Sequence, residues 1–404
     1  MNGVAPGALQ GFRILDLTSV VMGPFATQVL ADYGAEVIKI EPPDGDTTRN
    51  IGPSRERGLS AGFIGMNRGK QSLAVDLKQP AGAQLVLRLA QSADALVCNL
   101  RPQAMRRLGL HYDALATANP RLVYLSLVGY GRHGRYAGKP AYDDLIQAAI
   151  GLPRLVQRAD GGEPRYVPLA MCDRTVGIAA VNALLAALLH RERSGKGQEV
   201  EVPMFELMSM LLLSDHLGGA AFDPPQGPMG YARLLSKQRR PYATQDGYIA
   251  VLPYNDQHWR RFFALAGRPD LPDGDERFAD IAQRTRNIDA LYQLLADALL
   301  TRKTAEWLDL LTQADIPAMP LHTLESLIDD PHLNESGLFR FVDHPREGRM
   351  RAFRNPALFS QTPVRDPAPA PRLGEHSLEV LRRCGIADSE IQQLLQDGVL
   401  RAAA

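Results

Sequence analysis

The first 130 residues of the chain alternate between two kinds of apolar segment. Short runs rich in Val, Ile and Leu have the length of buried strands, and they lie at 13–17, 36–41, 72–77, 94–99 and 122–128. Two longer segments, 24–33 and 80–92, have helical length, and each begins with a proline that suits the first turn of a helix. Strands that are apolar throughout and separated by helices predict an α/β fold with a mainly parallel, doubly wound sheet.

The segment 42–70 interrupts this alternation. It is dense in proline, glycine and basic residues and has no convincing helical pattern. Loops of this length inside a compact domain are usually functional or disordered. Two interpretations remain open: a mobile surface excursion, or a flap whose Arg49, Arg55 and Arg57 reach a phosphorylated ligand.

Beyond residue 142 the apolar spacing is mainly helical. It predicts helices at 142–152, along the apolar run after Asp173, and at 204–213, 256–266, 287–300, 304–315, 375–384 and 389–396. Further strands are predicted at 198–203 and 248–253. Between 218 and 241 the composition shifts to Gly, Pro, Arg and Lys, which indicates a linker or an ordered loop. Because 404 residues exceed what one core usually serves, we expect a second domain after this break.

Composition and charge exclude several classes of protein. The 45 Lys and Arg residues balance 45 Asp and Glu residues, so the chain lacks the basic excess that nucleic-acid binding requires. The longest apolar run, 176–189, is shorter than the roughly 20 residues that span a bilayer, which predicts a helix buried on most sides and no membrane partner. No export signal stands at 1–10, and the three cysteines have no paired spacing. We therefore expect a cytoplasmic protein without a disulfide framework.

Two common kinds of binding motif are weak in this sequence. The pattern GxGxxG occurs once, with Gly129, Gly131 and Gly134 directly after the strand predicted at 122–128. A dinucleotide site requires a helix to open within those glycines, whereas 135–140 has the composition of a turn. The nine histidines are scattered, with no HxH or HExxH spacing. The sequence therefore predicts neither a nicotinamide cofactor nor a metal site.

Asp173 stands where the long apolar helix is predicted to begin. An aspartate in this position is a preferred N-cap, which stabilises a helix by about 1 kcal/mol. It is equally suited to be a carboxylate nucleophile, because the helix dipole and free N–H groups would keep it ionised. The small neighbours Ala170, Thr175 and Gly177 would leave room for a bulky ligand. One residue can fill both roles.

A series of short motifs runs along nearly the full length of the chain. They are ILDLT at 14–18, MGP at 22–24, GAEVIKIEP at 34–42 with Gly45, Asp46 and Arg49, NRGK at 67–70 with VDLK at 75–78, the stretch 99–109, GKGQ at 195–198, and LGEH at 373–376 with EVL at 379–381. In order and spacing this series resembles the class III coenzyme A transferases, the family of formyl-CoA:oxalate and carnitine CoA-transferases.

The resemblance implies a fold and an assembly. Residues 1–217 and 331–404 would form a Rossmann-like large domain with a parallel sheet, and 218–330 would contain the linker and an inserted smaller α+β domain. The protein would form an interlocked homodimer with a large obligate interface.

The resemblance also implies a reaction, in which the family nucleophile aligns with Asp173. An acyl-CoA donor such as succinyl-CoA would pass its CoA to a carboxylic acid through an aspartyl mixed anhydride and an aspartyl-CoA thioester. Coenzyme A is then a substrate, and neither a prosthetic group nor a metal is implied. The residues carried over as contacts of coenzyme A are Val21, Met22, Arg49, Val75, Lys78, Asn99, Leu100, Arg101, Arg107, Val128, Gly129, Tyr130 and Gly131.

The sequence departs from the oxalate enzyme of the family at two places. Pro42 replaces a basic residue after the second strand, and 230–241 replaces a tetraglycine loop, so oxalate and formate are not expected as substrates. The replacement loop carries a basic cluster formed by Arg233, Lys237, Arg239 and Arg240. This cluster either holds the distal carboxylate of a dicarboxylic acid such as succinate or is a charged surface loop.

Two other functions remain as alternatives. The same superfamily contains 2-methylacyl-CoA racemases, but these have a basic histidine where this chain has Tyr142, which disfavours proton abstraction. A non-catalytic acyl-CoA-binding dimer is the second alternative. It would have no need for the carboxylate of Asp173 beside a thioester.

Overall fold

The computed structural model describes residues 6–366 and 368–403 and divides the chain into two compact units. The first unit extends to Ile150, resumes over Val167–Ser209 and resumes again from Pro331. The second unit comprises Gly151–Tyr166 and Met210–Asp330. Compared with the limits of 218 and 330 expected from the sequence, the second unit also includes 151–166 and 210–217.

The elements are numbered in chain order. The strands are β1 Arg13–Leu17, β2 Glu36–Glu41, β3 Gln71–Val75, β4 Ala95–Cys98, β5 Val123–Val128, β6 Glu199–Pro203, β7 Tyr242–Ala243, β8 Tyr248–Val251, β9 Ala318–Pro320, β10 Phe339–His344, β11 Gly348–Phe353 and β12 Leu400–Arg401. The helices are α1 Met22–Asp32, α2 Ala61–Asn67, α3 Pro80–Ala90, α4 Pro102–Arg107, α5 Tyr112–Ala118, α6 Asp143–Ala149, α7 Leu152–Asp160, α8 Met171–Ser194, α9 Met204–His216, α10 Asp256–Leu265, α11 Leu271–Gly274, α12 Ile281–Arg286, α13 Ile288–Leu299, α14 Thr304–Gln313, α15 Leu324–Ile328, α16 Pro331–Glu335, α17 Ser377–Arg383 and α18 Asp388–Gln396.

The first unit is built on a seven-stranded sheet with the order β12-β3-β2-β1-β4-β5-β6. Strands β1 to β6 pair in parallel, and only the short β12 is antiparallel, against β3. The order 3-2-1-4-5-6 is that of doubly wound Rossmann folds. This confirms the predicted mainly parallel α/β sheet.

Alternating side chains of each strand enter two separate cores. In β1, Ile14 packs with side chains of α1 and α8 on one face of the sheet. Leu15 and Leu17 point to the other face, where they pack with α3, α17 and α18. Because both faces are covered by helices, these strands have continuous apolar sequences, which is the pattern that predicted them.

The segment 42–70 contains more structure than its composition suggests. A 3₁₀ turn at Thr47–Asn50 is capped by the side chain of Asp46, and α2 follows at Ala61–Asn67. The hydroxyl of Ser60 accepts the N–H of Phe63 and so caps α2, and Phe63 is buried. The expectation that this segment has no helix is therefore wrong, because seven residues rich in glycine give no clear helical period.

The long helix α8 has 24 residues. By length and composition it could cross a membrane, a test that core helices of soluble proteins also pass. Val176, Ala180 and Leu184 pack in the core beneath the sheet, whereas Ile178 and Leu189 are more than half exposed. The prediction that this helix is buried on most sides is wrong for a single chain, because its apolar residues extend around the helix beyond the face that contacts the core.

The second unit combines a small antiparallel sheet with helices. Its three strands have the order β7-β8-β9. Trp259 and Phe262 of α10 and Trp307 of α14 form its buried aromatic centre. The indole N–H of Trp307 donates to the carbonyl oxygen of Leu299 at 2.9 Å, so this polar group is satisfied in the core.

Candidate functional site

A cavity of about 590 Å³ lies in the first unit, where β1, β4 and β5 end. Ser19–Met22 follow β1, Asn99–Gln103 follow β4, and Val128–Tyr130 close β5, and all three stretches line the cavity. Strands β1 and β4 are neighbours in the sheet although β2 and β3 lie between them in the sequence. In open α/β sheets this switch point, at the carboxyl ends of the strands, is where ligands bind.

Asp173 also lines this cavity, from the first turn of α8. The helix begins at Met171 after Ala170, so the N-cap role expected for Asp173 is wrong. The backbone N–H of Asp173 donates to Oδ1 of Asp143, the first residue of α6, at 3.0 Å. Asp143 therefore satisfies one of the N–H groups in the first turn of α8, a role that the side chain of an N-cap residue usually has.

The environment of Asp173 raises the pKa of its carboxyl group to about 6. Burial is the main cause, the negative charge of Asp143 adds to it, and Arg174 partly opposes both. The expected stabilisation of the charged form by the helix terminus is therefore outweighed. Among the residues that the structure describes, no donor forms a hydrogen bond with this carboxylate. The group is ionised at neutral pH but weakly solvated, which is the state of a carboxylate nucleophile.

Two glycines of the GxGxxG pattern, Gly129 and Gly131, make contacts within the protein. A Cβ atom on Gly129 would lie 2.2 Å from Cβ of Ala141, so only glycine allows this close approach. The N–H of Gly131 donates to Oε1 of Glu206 at 2.9 Å. Residues 131–142 form turns and loop, and the next helix, α6, starts at Asp143. The pattern therefore lacks the helix that a dinucleotide fingerprint needs, in agreement with the sequence analysis.

The structure brings most of the predicted site residues together. Those that line the cavity are Asp173, Val21, Met22, Asn99, Leu100, Arg101, Val128, Gly129 and Tyr130. Arg49, Val75, Lys78, Arg107 and Gly131 do not line it. Val75 is fully buried within the sheet, and Lys78 and Arg107 are exposed outside the cavity.

Arg49 is the clearest of these corrections. Its Nε and Nη2 atoms each donate to Glu41 at 2.7 Å, and Nη1 donates to the carbonyl oxygens of Gly58 and Pro371. The guanidinium carbon lies 3.8 Å from the ring centroid of Phe63. Since the side chain is buried and its polar atoms are used within the protein, Arg49 is a structural residue and not a phosphate ligand.

The sequence analysis missed several residues of the cavity. Arg106 lines it in place of the predicted Arg107, together with Gln103, which lies three positions earlier on the same side of α4. Helical spacing from Gln103 could have favoured Arg106, but the six residues of α4 give too little pattern to fix the exposed side. Lys139 and Tyr142 come from the loop before α6. No sequence signal marks Lys139, and Tyr142 enters the sequence analysis only as the position compared with the racemase histidine.

The basic cluster of the replacement loop is divided by the structure. Nε of Arg233 donates to the hydroxyl of Tyr292 at 3.0 Å. Lys237 lines a second cavity, of about 530 Å³, with Arg158 and Arg286, entirely within the second unit. Among the described residues, no carboxylate pairs with any of these three cations. The remaining members, Arg239 and Arg240, are exposed.

Metal ligands are not grouped anywhere in residues 6–366 and 368–403. Within these ranges no three His, Cys, Asp or Glu side chains lie close enough to hold an ion. Asp143, whose charge acts on the carboxyl group of Asp173, belongs to the first turn of α6 with the exposed Asp144.

Known proteins resemble this chain over nearly its full length. The model of CoA-transferase family III matches residues 9–377. The chain is 34% identical over 385 residues to a succinate–glutarate CoA-transferase of Agrobacterium fabrum, covering 92% of this chain and 94% of that protein. It is 36% identical over 388 residues to a probable fatty acyl-CoA transferase of Mycobacterium tuberculosis, covering 93% and 98%. A crystal structure of the mycobacterial protein matches with a TM-score of 0.81 and 33% identity, over 93% of this chain and 99% of that one.

Proposed function

The chain belongs to CoA-transferase family III and is an enzyme that transfers CoA between an acyl-CoA thioester and a carboxylic acid, and we propose that Asp173 performs this transfer by becoming acylated itself. The observation that carries this proposal is the position of Asp173 in the cavity at the switch point of the sheet. Its backbone N–H donates to Asp143, and Asp173 lines the space that a thioester would enter.

The first half of the reaction uses two displacements at carbonyl carbon. An oxygen of the Asp173 carboxylate attacks the thioester, the C–S bond breaks, and CoA leaves as a thiolate from a mixed anhydride. The thiolate then attacks the aspartyl carbonyl of the anhydride, which releases the donor acid as a carboxylate and leaves an aspartyl-CoA thioester. The acceptor carboxylate reverses these steps and departs as the new thioester, restoring Asp173.

Coenzyme A would lie along the three cavity stretches. Among the described residues of the cavity, Arg101, Arg106 and Lys139 form no ion pair and would suit its phosphates, although Nζ of Lys139 lies 4.3 Å from the ring centroid of Tyr136. Arg132 is already paired with Glu199 and Glu201. Walls formed by β-strand ends and α-helices would keep water from the anhydride, which hydrolyses if it is exposed.

Trapping the covalent intermediates tests the proposal. After incubation with succinyl-CoA, hydroxylamine should convert an acylated Asp173 into a hydroxamate that peptide mass spectrometry detects at this residue alone. The same preparation without acyl-CoA is the control. If instead the α-proton of a 2-methylacyl-CoA exchanges with deuterated water and no adduct forms, the protein is a racemase.

The pH dependence of the reaction should report the ionisation of Asp173. Because only the carboxylate attacks and burial with Asp143 raises its pKa to about 6, kcat/KM for acyl-CoA should fall about tenfold per pH unit below about pH 6. Asp143→Asn removes the neighbouring charge but keeps an oxygen to accept the N–H of Asp173, so this acid limb should move to lower pH. If the acid limb of the pH profile stays at the same pH in Asp143→Asn, the limb reports the ionisation of a group other than Asp173.

The acceptor is proposed to be a dicarboxylic acid. The name of the Agrobacterium relative includes succinate and glutarate. Lys237, Arg158 and Arg286 line the second cavity with one acid, Asp289, whose carboxylate accepts the hydroxyl of Ser236, so the lining is positively charged overall and suits a carboxylate. Lys237→Ala should raise KM for glutarate about tenfold while leaving KM for butyrate unchanged. Arg240→Ala, which removes an exposed cation outside this cavity, is the control. Equal effects of Lys237→Ala on both acids would exclude the role.

A homodimer, interlocked as in the resembling family, is also proposed, with the second unit as the inserted smaller domain. Ile178 and Leu189 on α8 are more than half exposed in the single chain, and a partner would cover them. Light scattering should give twice the chain mass of 44.3 kDa. A monomeric mass would contradict the dimer.

A further inference from the structure

The wall of the cavity that follows β1 contains a strained residue. Val20 has a φ angle of 72°, in the left-handed region that β-branched residues avoid. It is followed by Val21 and Met22, and all three residues line the cavity that contains Asp173. Such strain persists only where surrounding interactions hold the backbone in place, and it is concentrated at functional sites.

Three side chains, from β2, from the loop after β2 and from the end of β4, hold the backbone on either side of this strain. The N–H of Val20 lies 3.3 Å from each carboxylate oxygen of Asp46. Asn99 binds both backbone groups of Ser19, the residue before Val20. Its Oδ1 accepts the N–H of Ser19 at 3.0 Å, and its Nδ2 donates to the carbonyl oxygen of Ser19 at 2.8 Å. The carbonyl oxygen of Thr18 accepts from Nζ of Lys39 at 2.8 Å.

Two of these side chains form a buried ion pair outside the cavity. Nζ of Lys39 lies 3.0 Å from Oδ2 of Asp46, and neither side chain is more than 1% exposed. The other oxygen of Asp46 accepts the N–H and the hydroxyl of Thr48, so this carboxylate is fixed in position. A pair buried this deeply must be well compensated to be tolerated. Here the compensation includes the backbone groups of Thr18 and Val20.

We infer that Asp46 is a positioning residue of the transferase: with Lys39 it holds Val20 in its left-handed conformation and thereby fixes the wall 19–22 against which the thioester is placed. The inference rests on the proposed function, because it assumes that this cavity binds acyl-CoA. Asp46 itself does not line the cavity, so it acts through Val20.

The wall also contacts the helix that carries the nucleophile. A Cβ atom on Gly177, one turn after Asp173, would lie 2.9 Å from the carbonyl oxygen of Met22. The guanidinium carbon of Arg174 lies 4.7 Å from the ring centroid of Phe25. Because α1 and α8 are packed this closely where both begin, a shift of the wall would change the space beside Asp173.

The test combines Asp46→Asn with Val20→Gly. Asparagine keeps the size of Asp46 but loses the charge that holds Lys39 and the N–H of Val20, so kcat/KM for acyl-CoA should fall by about tenfold or more. Glycine adopts a φ of 72° without strain, so adding Val20→Gly should restore kcat/KM at least about threefold over Asp46→Asn alone. A residue that only supports folding would not be rescued by relief of strain at another position.

The matched control is Asp32→Asn, which removes a carboxylate from a second buried ion pair, with Arg68, that makes no contact with 18–22. Hydrogen exchange of the peptide spanning 16–25 should increase in Asp46→Asn and not in Asp32→Asn. Hydrogen exchange requires no turnover, so it tests whether Asp46 holds the backbone of 18–22 even if the protein transfers no CoA. Equal exchange in the two variants, or no rescue of kcat/KM by Val20→Gly, would overturn the inference.

If Asp46→Asn does not fold, the single variant Val20→Gly still tests whether the backbone is strained at Val20. Replacing valine by glycine normally lowers Tm, but here relief of the strained φ should offset this loss. The Tm of Val20→Gly should therefore lie within about 2 °C of the parent or above it. A fall of more than about 5 °C would show that no strain is stored at Val20.

Discussion

Replacing Asp173 by asparagine should lower kcat/KM at least about a thousandfold and leave the fold as stable as before or more stable. The amide has the size of the carboxylate but cannot attack a thioester. At neutral pH the parent carboxylate is ionised at a cost in folding free energy, because burial and Asp143 raise its pKa to about 6. Removing the charge removes this cost, which is about 1 kcal/mol after allowing for partial exposure to solvent.

The pH dependence of the Tm distinguishes the loss of a destabilising charge at Asp173 from a general disruption of the site, which would lower the Tm. The folded-state pKa of Asp173 lies above the unfolded value near 4, so ionisation weakens the fold as pH rises from about 4 to about 6. The Tm of Asp173→Asn should exceed that of the parent at about pH 7.5 and equal it near pH 4. Asp144→Asn, which changes an exposed carboxylate of α6, should alter neither Tm nor turnover. Turnover above about a tenth of the parent value in Asp173→Asn would place the nucleophile elsewhere.

The parts of the fold that the sequence predicted share one physical property. Strands β1, β2 and β5 are buried on both faces, so their apolar runs stand out from the polar segments around them. Helix α7, which was not predicted, has only nine residues, and most of them are exposed or half-exposed, so its apolar side chains form no long buried run that the sequence could reveal. The strand β12 has two residues, and only its pairing with β3 defines it.

The candidate site was predictable only where a motif marks a position. Asp173 could be chosen because it stands at the start of an apolar run and aligns with the nucleophile of the resembling family. Its partner Asp143 lies 30 positions earlier, and the pKa of Asp173 depends on that contact. Arg49 was misassigned for the same reason, since no local pattern shows that its guanidinium faces Glu41. The pKa of Asp173 and the role of Arg49 both depend on contacts between residues that are distant in the sequence. A single sequence does not show such contacts.

Gly129→Ala should weaken binding of acyl-CoA by about tenfold or more and lower Tm by several degrees. A methyl group here would lie 2.2 Å from Cβ of Ala141 and 3.5 Å from its Cα, so the clash cannot be relieved by rotating a flexible side chain. Either the end of β5 or the segment 141–142 must move. Both line the cavity, and Asp143, which binds the N–H of Asp173, follows directly. Calorimetry with free CoA and thermal melting measure the two effects.

The other glycines of the same pattern provide matched controls for this change. A Cβ on Gly134 would have its nearest neighbour at 3.7 Å, an ordinary contact, so Gly134→Ala should bind CoA and melt like the parent. A Cβ on Gly131 would lie 2.8 Å from Oε1 of Glu206, the end of a flexible side chain that can move aside. Gly131→Ala should therefore have an intermediate effect. A nicotinamide site of the GxGxxG type would require all three glycines. Equal losses at the three positions would therefore contradict the packing role, whereas a loss confined mainly to Gly129 supports it.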